Sequence, residues 1–138
     1  MLTGINHLTL SVANLECSFA FYRDVLGLKP LCRWQNGAYF LAGDDWICLS
    51  LKPDYKINSN PDYTHYAFSV QEDDFQTVCQ LIIASGAVQF QENSSEGASL
   101  YFYDPDGHRL EIHVGDWQTR IAAKKVNLGS WQDVEFFV

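Results

Sequence analysis

The sequence lacks any long apolar run and any excess of positive charge, and both absences narrow the possible functions. No segment approaches the ~20 consecutive apolar residues that a transmembrane helix needs. Lysine and arginine number 9 against 17 aspartate and glutamate residues, which gives a formal net charge of −8. A polyanion would be repelled by such a chain, so the composition argues against nucleic acid as a partner and disfavours a membrane surface.

The sequence also lacks an export signal and paired cysteines. Its first residues contain no basic stretch followed by an apolar run and a small-residue cleavage site, so they do not read as a signal peptide. No two cysteines stand in a C-x-x-C pair, which favours free thiols in a reducing, cytoplasmic compartment. Because free cysteine is among the most buried residue types, each one is expected to be a small buried residue. The four are Cys17, Cys32, Cys48 and Cys79.

What the chain does have is ample material for one packed interior. It has 138 residues, 47% of them hydrophobic, with 9 Phe, 7 Tyr and 4 Trp. Disordered chains are poor in aromatic residues, and domains commonly hold roughly 100 to 150 residues. We therefore expect a single domain over residues 1–138.

An internal repeat divides this domain. Residues 5–30 and 63–88 share a layout in which a histidine is followed by a valine five positions later, a helix-like stretch and then a glycine. The matching landmarks are His7 and His65, Val12 and Val70, and Gly27 and Gly86. After each histidine, polar and apolar residues alternate with the period of a strand, and each glycine suits the left-handed position that ends a helix.

Three further strand-like segments follow each helix, so each repeat reads as β-α-β-β-β. We place repeat one at about residues 4–52, repeat two at about 62–115, and a tail at 116–138 with one helix around 117–125. A Pro- and Asn-containing linker covers residues 52–62. The strand-like segments are 31–34, 37–42, 46–51, 87–92, 99–104 and 109–114, and the turns are Asn36-Gly37, 43–45, 93–97 and 104–107. The predicted fold class is α+β, with two curled mixed sheets around a shared metal cleft.

Three residues in this pattern are candidate metal ligands. His7 and His65 occupy equivalent first-strand positions, and Glu111 lies on the last strand of repeat two between two apolar neighbours. Two imidazoles and one carboxylate, with positions left open, form a donor set used by catalytic divalent metals. The residue types leave Mn, Fe, Zn and Ni open. His113 shares a face with Glu111 and is a rival ligand, which we assign a structural or supporting role, whereas His108 is expected to be a surface turn residue.

With these residues in place, the sequence resembles the vicinal oxygen chelate superfamily, and within it the manganese-dependent fosfomycin-resistance glutathione transferases. The resemblance covers nearly the whole chain. It rests on segments 6–10, 21–27, 37–39, 46–50, 62–68, 95–97 and 101–115, of which the last, YFYDPDGHRLEIHVG, is the longest.

The resemblance implies a homodimer with repeats swapped between subunits, so that His7 of one chain meets His65 and Glu111 of the other at one Mn²⁺. It also implies K⁺ as an activator and glutathione as the co-substrate that opens an epoxide. Thr9 would bind the epoxide oxygen and Tyr39 would lie near the thiol. The implied substrate-binding residues are Trp46, Tyr63, Ser95, Ser99, Tyr101 and Arg120, and the implied potassium loop comprises Asn93, Ser95, Glu96, Gly97 and Ser99.

One departure from that family affects the substrate. Gln91 and Ser94 stand where the family usually has a lysine and an arginine, so two cations that would face a phosphonate are missing. A charge-assisted contact contributes roughly 1.5 to 3 kcal/mol, so we expect lower activity toward fosfomycin than in relatives that keep both cations.

Two other functions remain open. One is another metal-dependent enzyme of this architecture, such as an Fe(II) extradiol dioxygenase, an epoxide hydrolase or a glyoxalase-like enzyme. The other is a non-catalytic protein that sequesters a drug without metal.

Overall fold

The computed structural model describes residues 1–56 and 63–138 and contains the two predicted repeats. The predicted linker falls partly on residues 57–62, and that part lies outside the described residues. The first repeat comprises β1 (His7–Val12), α1 (Leu15–Ala20) with a π-helical turn (Phe21–Val25), β2 (Lys29–Trp34), β3 (Gly37–Ala42) and β4 (Asp45–Leu51). The second comprises β5 (Tyr66–Ser69), α2 (Glu72–Ala84), β6 (Gln89–Gln91), β7 (Ser99–Tyr103) and β8 (Arg109–His113). The tail contains α3 (Trp117–Val126).

Each repeat forms one four-stranded mixed sheet. Sheet A has the order β1-β4-β3-β2, and sheet B has the equivalent order β5-β8-β7-β6. The first strand of each sheet pairs in parallel with the last strand of its repeat, and the other pairings are antiparallel. The predicted α+β class with two mixed sheets is therefore confirmed. In both sheets the strand that begins the repeat, β1 or β5, lies at an edge.

A side-chain cap begins α1, and a glycine follows the helix of each repeat. The Asn14 side chain accepts a hydrogen bond from the amide of Cys17 at 2.9 Å and so caps α1. Gly27 has φ +70° and Gly86 has φ +84°, which is the left-handed conformation expected after each helix. No helix in residues 1–56 and 63–138 is long and apolar enough to cross a membrane.

The hairpin between β2 and β3 differs from the prediction in its turn residues. The turn consists of Gln35 and Asn36, while Gly37 is the first residue of β3. Gly37 is required by packing: a Cβ there would lie 2.6 Å from the carbonyl oxygen of Leu49 and 2.6 Å from the ring of Trp34. In the Asn36-Gly37 pair, the glycine is therefore needed because the Leu49 backbone and the Trp34 side chain lie close to its Cα.

Two of the four cysteines contradict the expectation of burial. Cys48 and Cys79 are buried, but Cys17 and Cys32 are exposed, and all four are free thiols. Cys32 lies on β2, an edge strand in which all six residues are exposed. Residue-type preference gave the wrong prediction there because exposure is set by the position of the strand in the sheet.

One hydrophobic core joins the two repeats. It includes Phe21 and Tyr22 from the first repeat and Cys79, Ile82 and Phe102 from the second. The Phe21 and Phe102 rings lie 6.5 Å apart between centroids. The repeats thus pack against each other through their helix-bearing sides.

A turn of the second repeat is hydrogen-bonded to the first repeat at the edge of this core. Buried Asp104 accepts the hydroxyl of Tyr22 at 2.6 Å, and its other oxygen accepts the amides of Asp106 and His108 at 2.9 and 2.8 Å. Asp106 accepts the amide of Ala13 at 2.8 Å and the hydroxyl of Ser18 at 3.0 Å. We call residues 104–108 the inter-repeat turn.

His108 is therefore not the surface turn residue that was expected. It is half-buried, and its Nε2 lies 2.8 Å from the carbonyl oxygen of Ser11. Its ring also stacks on Tyr55, with centroids 5.4 Å apart and an interplanar angle of 22°. Because a carbonyl oxygen can only accept, Nε2 must carry the proton.

Replacing Tyr22 by Phe should destabilise the fold by about 1 to 3 kcal/mol, because it leaves the buried Asp104 carboxylate short of one donor. Urea unfolding at fixed protein concentration measures the loss. Tyr103→Phe is the matched control, since its hydroxyl makes no hydrogen bond within the described residues; it should change stability by less than about 0.5 kcal/mol.

Burial, reinforced by Asp104, raises the pKa of Tyr22. Native stability should therefore fall as pH rises past the unfolded tyrosine pKa of about 10, and fall less steeply in Tyr22→Phe. Equal slopes would contradict this assignment.

Candidate metal centre

Sheet A presents a polar and aromatic face opposite its helix. His7 pairs with Trp46 in register and their ring centroids lie 4.6 Å apart, while Tyr39 lies 5.0 Å from Trp46. In the next row, Thr9 pairs with Cys48, and burial raises the pKa of the Cys48 thiol. Both His7 and Thr9 are exposed. We call this surface the His7 face.

Sheet B presents the corresponding Glu111 face. Glu111 pairs with Ala67 on one side and with Tyr101 on the other, and Tyr101 pairs with Gln91. Glu111 and Tyr101 are 6% and 5% exposed and are register partners on neighbouring strands. Burial, followed by the nearby Glu111 carboxylate, raises the pKa of Tyr101, so the phenol remains protonated at neutral pH. The ring of His65, just before β5, lies 6.2 Å from the Tyr101 ring.

The two candidate histidines have the same arrangement of ring nitrogens. Nδ1 of His7 lies 2.7 Å from the side-chain oxygen of Asn6, and Nδ1 of His65 lies 2.9 Å from the carbonyl oxygen of Tyr63. Both partners are acceptors, so each Nδ1 carries the proton and each Nε2 keeps its lone pair. A histidine that binds a metal commonly holds its other N–H on such an oxygen. His7 and His65 are therefore prepared to bind a metal through Nε2.

The other two histidines have Nε2 already engaged. The Nε2 of His113 lies 3.4 Å from the guanidinium of Arg120, which can only donate, and its Nδ1 lies 2.6 Å from the hydroxyl of Ser99. The Nε2 of His108 donates to Ser11. This arrangement favours His7 and His65 over His113 as ligands, and the supporting role of His113 stays a prediction.

Glu111 completes a chemically suitable donor set. The ion pairs among the described residues are Arg23 with Asp24 and Arg120 with Glu96, so the buried Glu111 carboxylate has no cationic partner there. A buried carboxylate is costly when no cation neutralises it. Two neutral imidazole nitrogens and one carboxylate fit a catalytic divalent metal such as Mn²⁺, Fe²⁺ or Zn²⁺.

One chain does not bring these three ligands together. Among residues 1–56 and 63–138, the only three His, Cys, Asp or Glu side chains with donor atoms within 4.8 Å of one another are Asp104, Asp106 and His108. The two carboxylates and Nε2 of His108 already hydrogen-bond protein groups, most of them in the first repeat, which makes the three residues a structural cluster. His7 lies on sheet A, whereas His65 and Glu111 belong to the sheet B side.

A groove of about 790 Å³ borders both edge strands. Its lining includes His7 and Leu8 from β1 and Ala67 and Ser69 from β5. Asp44, from the turn before β4, and Asp45, the first residue of β4, also line it. Both sheet edges are thus open in a single chain, next to the residues that carry the candidate ligands.

The predicted potassium loop follows β6. Within it, the side-chain Nδ2 of Asn93 donates to the carbonyl oxygen of Gly97 at 2.6 Å. The side-chain Oδ1 of Asn93 accepts a hydrogen bond from the Ser95 hydroxyl at 2.9 Å. Gly97 has φ +80°, and a Cβ there would collide with the Val114 carbonyl and lie 2.8 Å from the His113 ring. The loop is therefore tied to the end of β8.

Arg120 connects α3 to this loop. Its guanidinium lies 3.4 Å from both the Ser95 hydroxyl and the Glu96 carbonyl oxygen, and its Nε lies 3.5 Å from the Glu96 carboxylate. All three separations are long for charge-assisted hydrogen bonds, which are usually about 2.7 to 2.9 Å. The guanidinium is thus held near the loop without a short contact.

The structure divides the predicted substrate residues between the two faces. Thr9, Tyr39 and Trp46 lie on the His7 face, while Tyr63, Ser95, Ser99, Tyr101 and Arg120 lie on or beside the Glu111 face. The buried Trp46 Nε1 has no acceptor within the described residues, so it is available to a bound ligand or a second chain. Sequence reasoning missed Asn6 as the residue that orients His7. It also missed Gln91 as a partner of Tyr63, because hydrogen-bond partners leave no periodic signal.

Comparison with known proteins agrees with this architecture. The profile of the Glyoxalase/Bleomycin resistance protein/Dioxygenase superfamily matches residues 4–112. The chain therefore belongs to that superfamily, which the sequence resemblance had indicated. Among curated relatives, a glutathione transferase FosA from Serratia marcescens is 48% identical over 125 residues, covering 89% of each chain. A metallothiol transferase FosB from Shouchella clausii is 38% identical over 127 residues, covering 88% of this chain and 87% of the relative.

Solved structures extend the similarity to three dimensions. The fosfomycin resistance protein FosX from Listeria monocytogenes, crystallised with Mn(II) and sulfate, superimposes with a TM-score of 0.79 at 28% identity. That match covers 89% of this chain and 98% of the FosX chain. FosX from Mesorhizobium loti gives a TM-score of 0.74 at 27% identity, covering 88% and 99%.

Replacing His65 by Ala should reduce Mn²⁺ affinity more than 100-fold, because losing a ligand should exceed the roughly 10- to 100-fold cost of losing a ligand's supporting partner. Titration calorimetry on the purified protein measures the change, and His7→Ala should behave alike. His108→Gln is the control: it should lower stability and leave Mn²⁺ affinity within about twofold, since His108 is assigned to packing. If His65→Ala bound Mn²⁺ as tightly as the wild-type protein, His65 would not be a metal ligand.

Proposed function

We propose that this chain is a metal-dependent thiol transferase that opens the epoxide of fosfomycin or a related small anionic epoxide. The observation that carries the proposal is the ligand set: two histidines with free Nε2 atoms and a buried Glu111 carboxylate with no cationic partner among the described residues. Relatives named as glutathione and metallothiol transferases support the reaction class. Glutathione is the proposed thiol. The domain is proposed to cover residues 1–138 and to work in the cytoplasm.

The metal would be held by His7, His65 and Glu111, with Mn²⁺ as the first choice. Bound there, it supplies a Lewis acid that polarises the epoxide oxygen as the ring opens. Thr9 offers its hydroxyl to the same oxygen from the His7 face. The thiol would approach beside Tyr39, whose ring contacts the rings of Trp34 and Trp46.

The anionic end of the substrate is assigned to the Glu111 face. Tyr63, Tyr101, Ser95 and Ser99 offer hydroxyl donors, and Arg120 offers a cation. Arg120 shares its charge with Glu96 at 3.5 Å, and Gln91 and Ser94 add no charge. We therefore still predict that this chain binds fosfomycin more weakly than relatives that have both extra cations. The missing cations are also compatible with a native epoxide substrate of lower charge.

K⁺ is proposed as an activator at the loop formed by Asn93, Ser95, Glu96, Gly97 and Ser99. Carbonyl, hydroxyl and carboxylate oxygens from this short stretch suit a hard cation. The Asn93 bonds fix the loop, and Arg120 lies on its other side. A cation there would reduce the hold of Glu96 on Arg120 and free the guanidinium for the substrate.

The active form is proposed to be a homodimer with shared sites. The three ligands do not meet in one chain, and the edge strands β1 and β5 both border an open groove. A second copy related by a twofold axis could place its β1 beside β5 of the first, because the same surfaces are then used twice. Each site would take His7 from one subunit and His65 with Glu111 from the other.

The Mn²⁺-loaded protein should consume glutathione when fosfomycin is added, and K⁺ should increase the rate. Mass spectrometry of the product, across several thiols and with no thiol, measures the reaction. Addition of the thiol mass supports a transferase, whereas a product heavier by one water would indicate hydrolysis. No product with any thiol or water, from a protein that binds Mn²⁺, would contradict the proposed function.

Mixing two inactive variants should restore activity if the sites are shared. His7→Ala and His65→Ala should each be inactive alone, but their heterodimer has one site with both histidines intact. Random reassociation makes half of the dimers mixed, so about one quarter of wild-type activity should return. The matched control mixes His65→Ala with Glu111→Gln, which affect the same half-site and should restore nothing. Recovery in both mixtures, or in neither, would exclude the swapped arrangement.

A further inference from the structure

Gln91 makes a long-range contact that its position on the Glu111 face does not require. It ends β6 opposite Tyr101, in the row that also contains Glu111. Its Nε2 donates to the hydroxyl oxygen of Tyr63 at 2.7 Å, a bond between residues 28 positions apart. Gln91 is half-buried, whereas Tyr63 is 57% exposed. The bond therefore ties an exposed aromatic side chain to the opposite edge strand of sheet B.

Tyr63 in turn contacts the candidate ligand His65 in two ways. The two ring centroids lie 4.8 Å apart, and the Tyr63 carbonyl oxygen accepts the proton of His65 Nδ1 at 2.9 Å. The second contact sets which nitrogen carries the proton and hence which nitrogen is free for a metal. The position of the Tyr63 carbonyl oxygen therefore favours the tautomer of His65 that carries its proton on Nδ1.

We propose that Gln91 is a positioning residue that prepares His65 for metal binding by fixing Tyr63. The inference rests on the proposed metal site and adds a residue that touches neither metal nor substrate. The bond from Gln91 holds the far end of the Tyr63 side chain, and this in turn holds the Tyr63 backbone carbonyl over His65 Nδ1.

The physical need for such a tie follows from the exposure of Tyr63, which is 57%. Among the ring contacts and hydrogen bonds of the described residues, its side chain has the ring contact with His65 and the bond from Gln91. An exposed aromatic side chain loses rotamer entropy when it is fixed, and a single ring contact offsets little of that cost. Without the Gln91 donor, Tyr63 would sample other rotamers, and its carbonyl would hold the His65 proton for less of the time.

A double-mutant cycle on the full-length protein tests this inference. Gln91→Met keeps the side-chain length and removes the donor, while Tyr63→Phe keeps the ring and removes the hydroxyl. Two quantities are measured: the ¹⁵N shifts of His65 in the metal-free protein, which report its tautomer, and the Mn²⁺ dissociation constant. We expect each variant to shift His65 away from the Nδ1–H tautomer and to weaken Mn²⁺ binding by about 10-fold. The double variant should be no worse than either single variant, since both remove the same bond.

Gln89→Met is the matched control, because Gln89 lies on the same strand, is exposed and makes no side-chain hydrogen bond within the described residues. It should leave the His65 shifts unchanged and Mn²⁺ affinity within about twofold. Additive effects of Gln91→Met and Tyr63→Phe, or wild-type His65 shifts in Gln91→Met, would overturn the inference. The NMR comparison needs neither metal nor turnover, so it tests the role of Gln91 even if the proposed reaction is absent.

Discussion

The hydrogen bond between Tyr22 and Asp104 is the contact on which the arrangement of the two repeats depends. Burial raises the pKa of Asp104, which means that the carboxylate is costly to keep charged in this place. The Tyr22 hydroxyl and the amides of Asp106 and His108 offset that cost by donating to its two oxygens. Because one donor comes from the first repeat and two from the second, the carboxylate is fully satisfied only when the repeats are docked.

This docking determines where the functional side chains can lie. The repeats meet through their helix-bearing sides, so both helices help to form one core and the His7 and Glu111 faces lie on the opposite sides of the sheets. His7 and Thr9 are exposed on the His7 face, whereas on the Glu111 face Ala67 and Ser69 are exposed and Glu111 is buried. The packing that stabilises the chain therefore separates His7 from Glu111. This separation is the reason for proposing that a site using both residues is built between two chains.

Strand and helix periodicity was enough to predict the repeat, the mixed sheets and the face on which each candidate ligand lies. Alternation reports which side of a sheet a residue faces, and Gly27 and Gly86 mark helix ends through their φ angles. It could not predict the burial of His108, whose partner Ser11 lies 97 residues away. Nor could it indicate which ring nitrogen of His7 or His65 is free, since that depends on Asn6 and the Tyr63 carbonyl. Local patterns thus specify elements, while hydrogen bonds between distant residues specify chemistry.

The charge distribution gives the metal a larger role in this chain than ligand chemistry alone would require. The protein carries a formal net charge of −8, so an anionic substrate approaches against the overall field. The guanidiniums near the Glu111 face are Arg120, which is paired with Glu96, and Arg109, which lies over the ring of Tyr103 at 5.5 Å. Gln91 is neutral and is already bonded to Tyr63. A divalent cation at His7, His65 and Glu111 would then be the largest local positive charge, and it would attract the substrate as well as activate it.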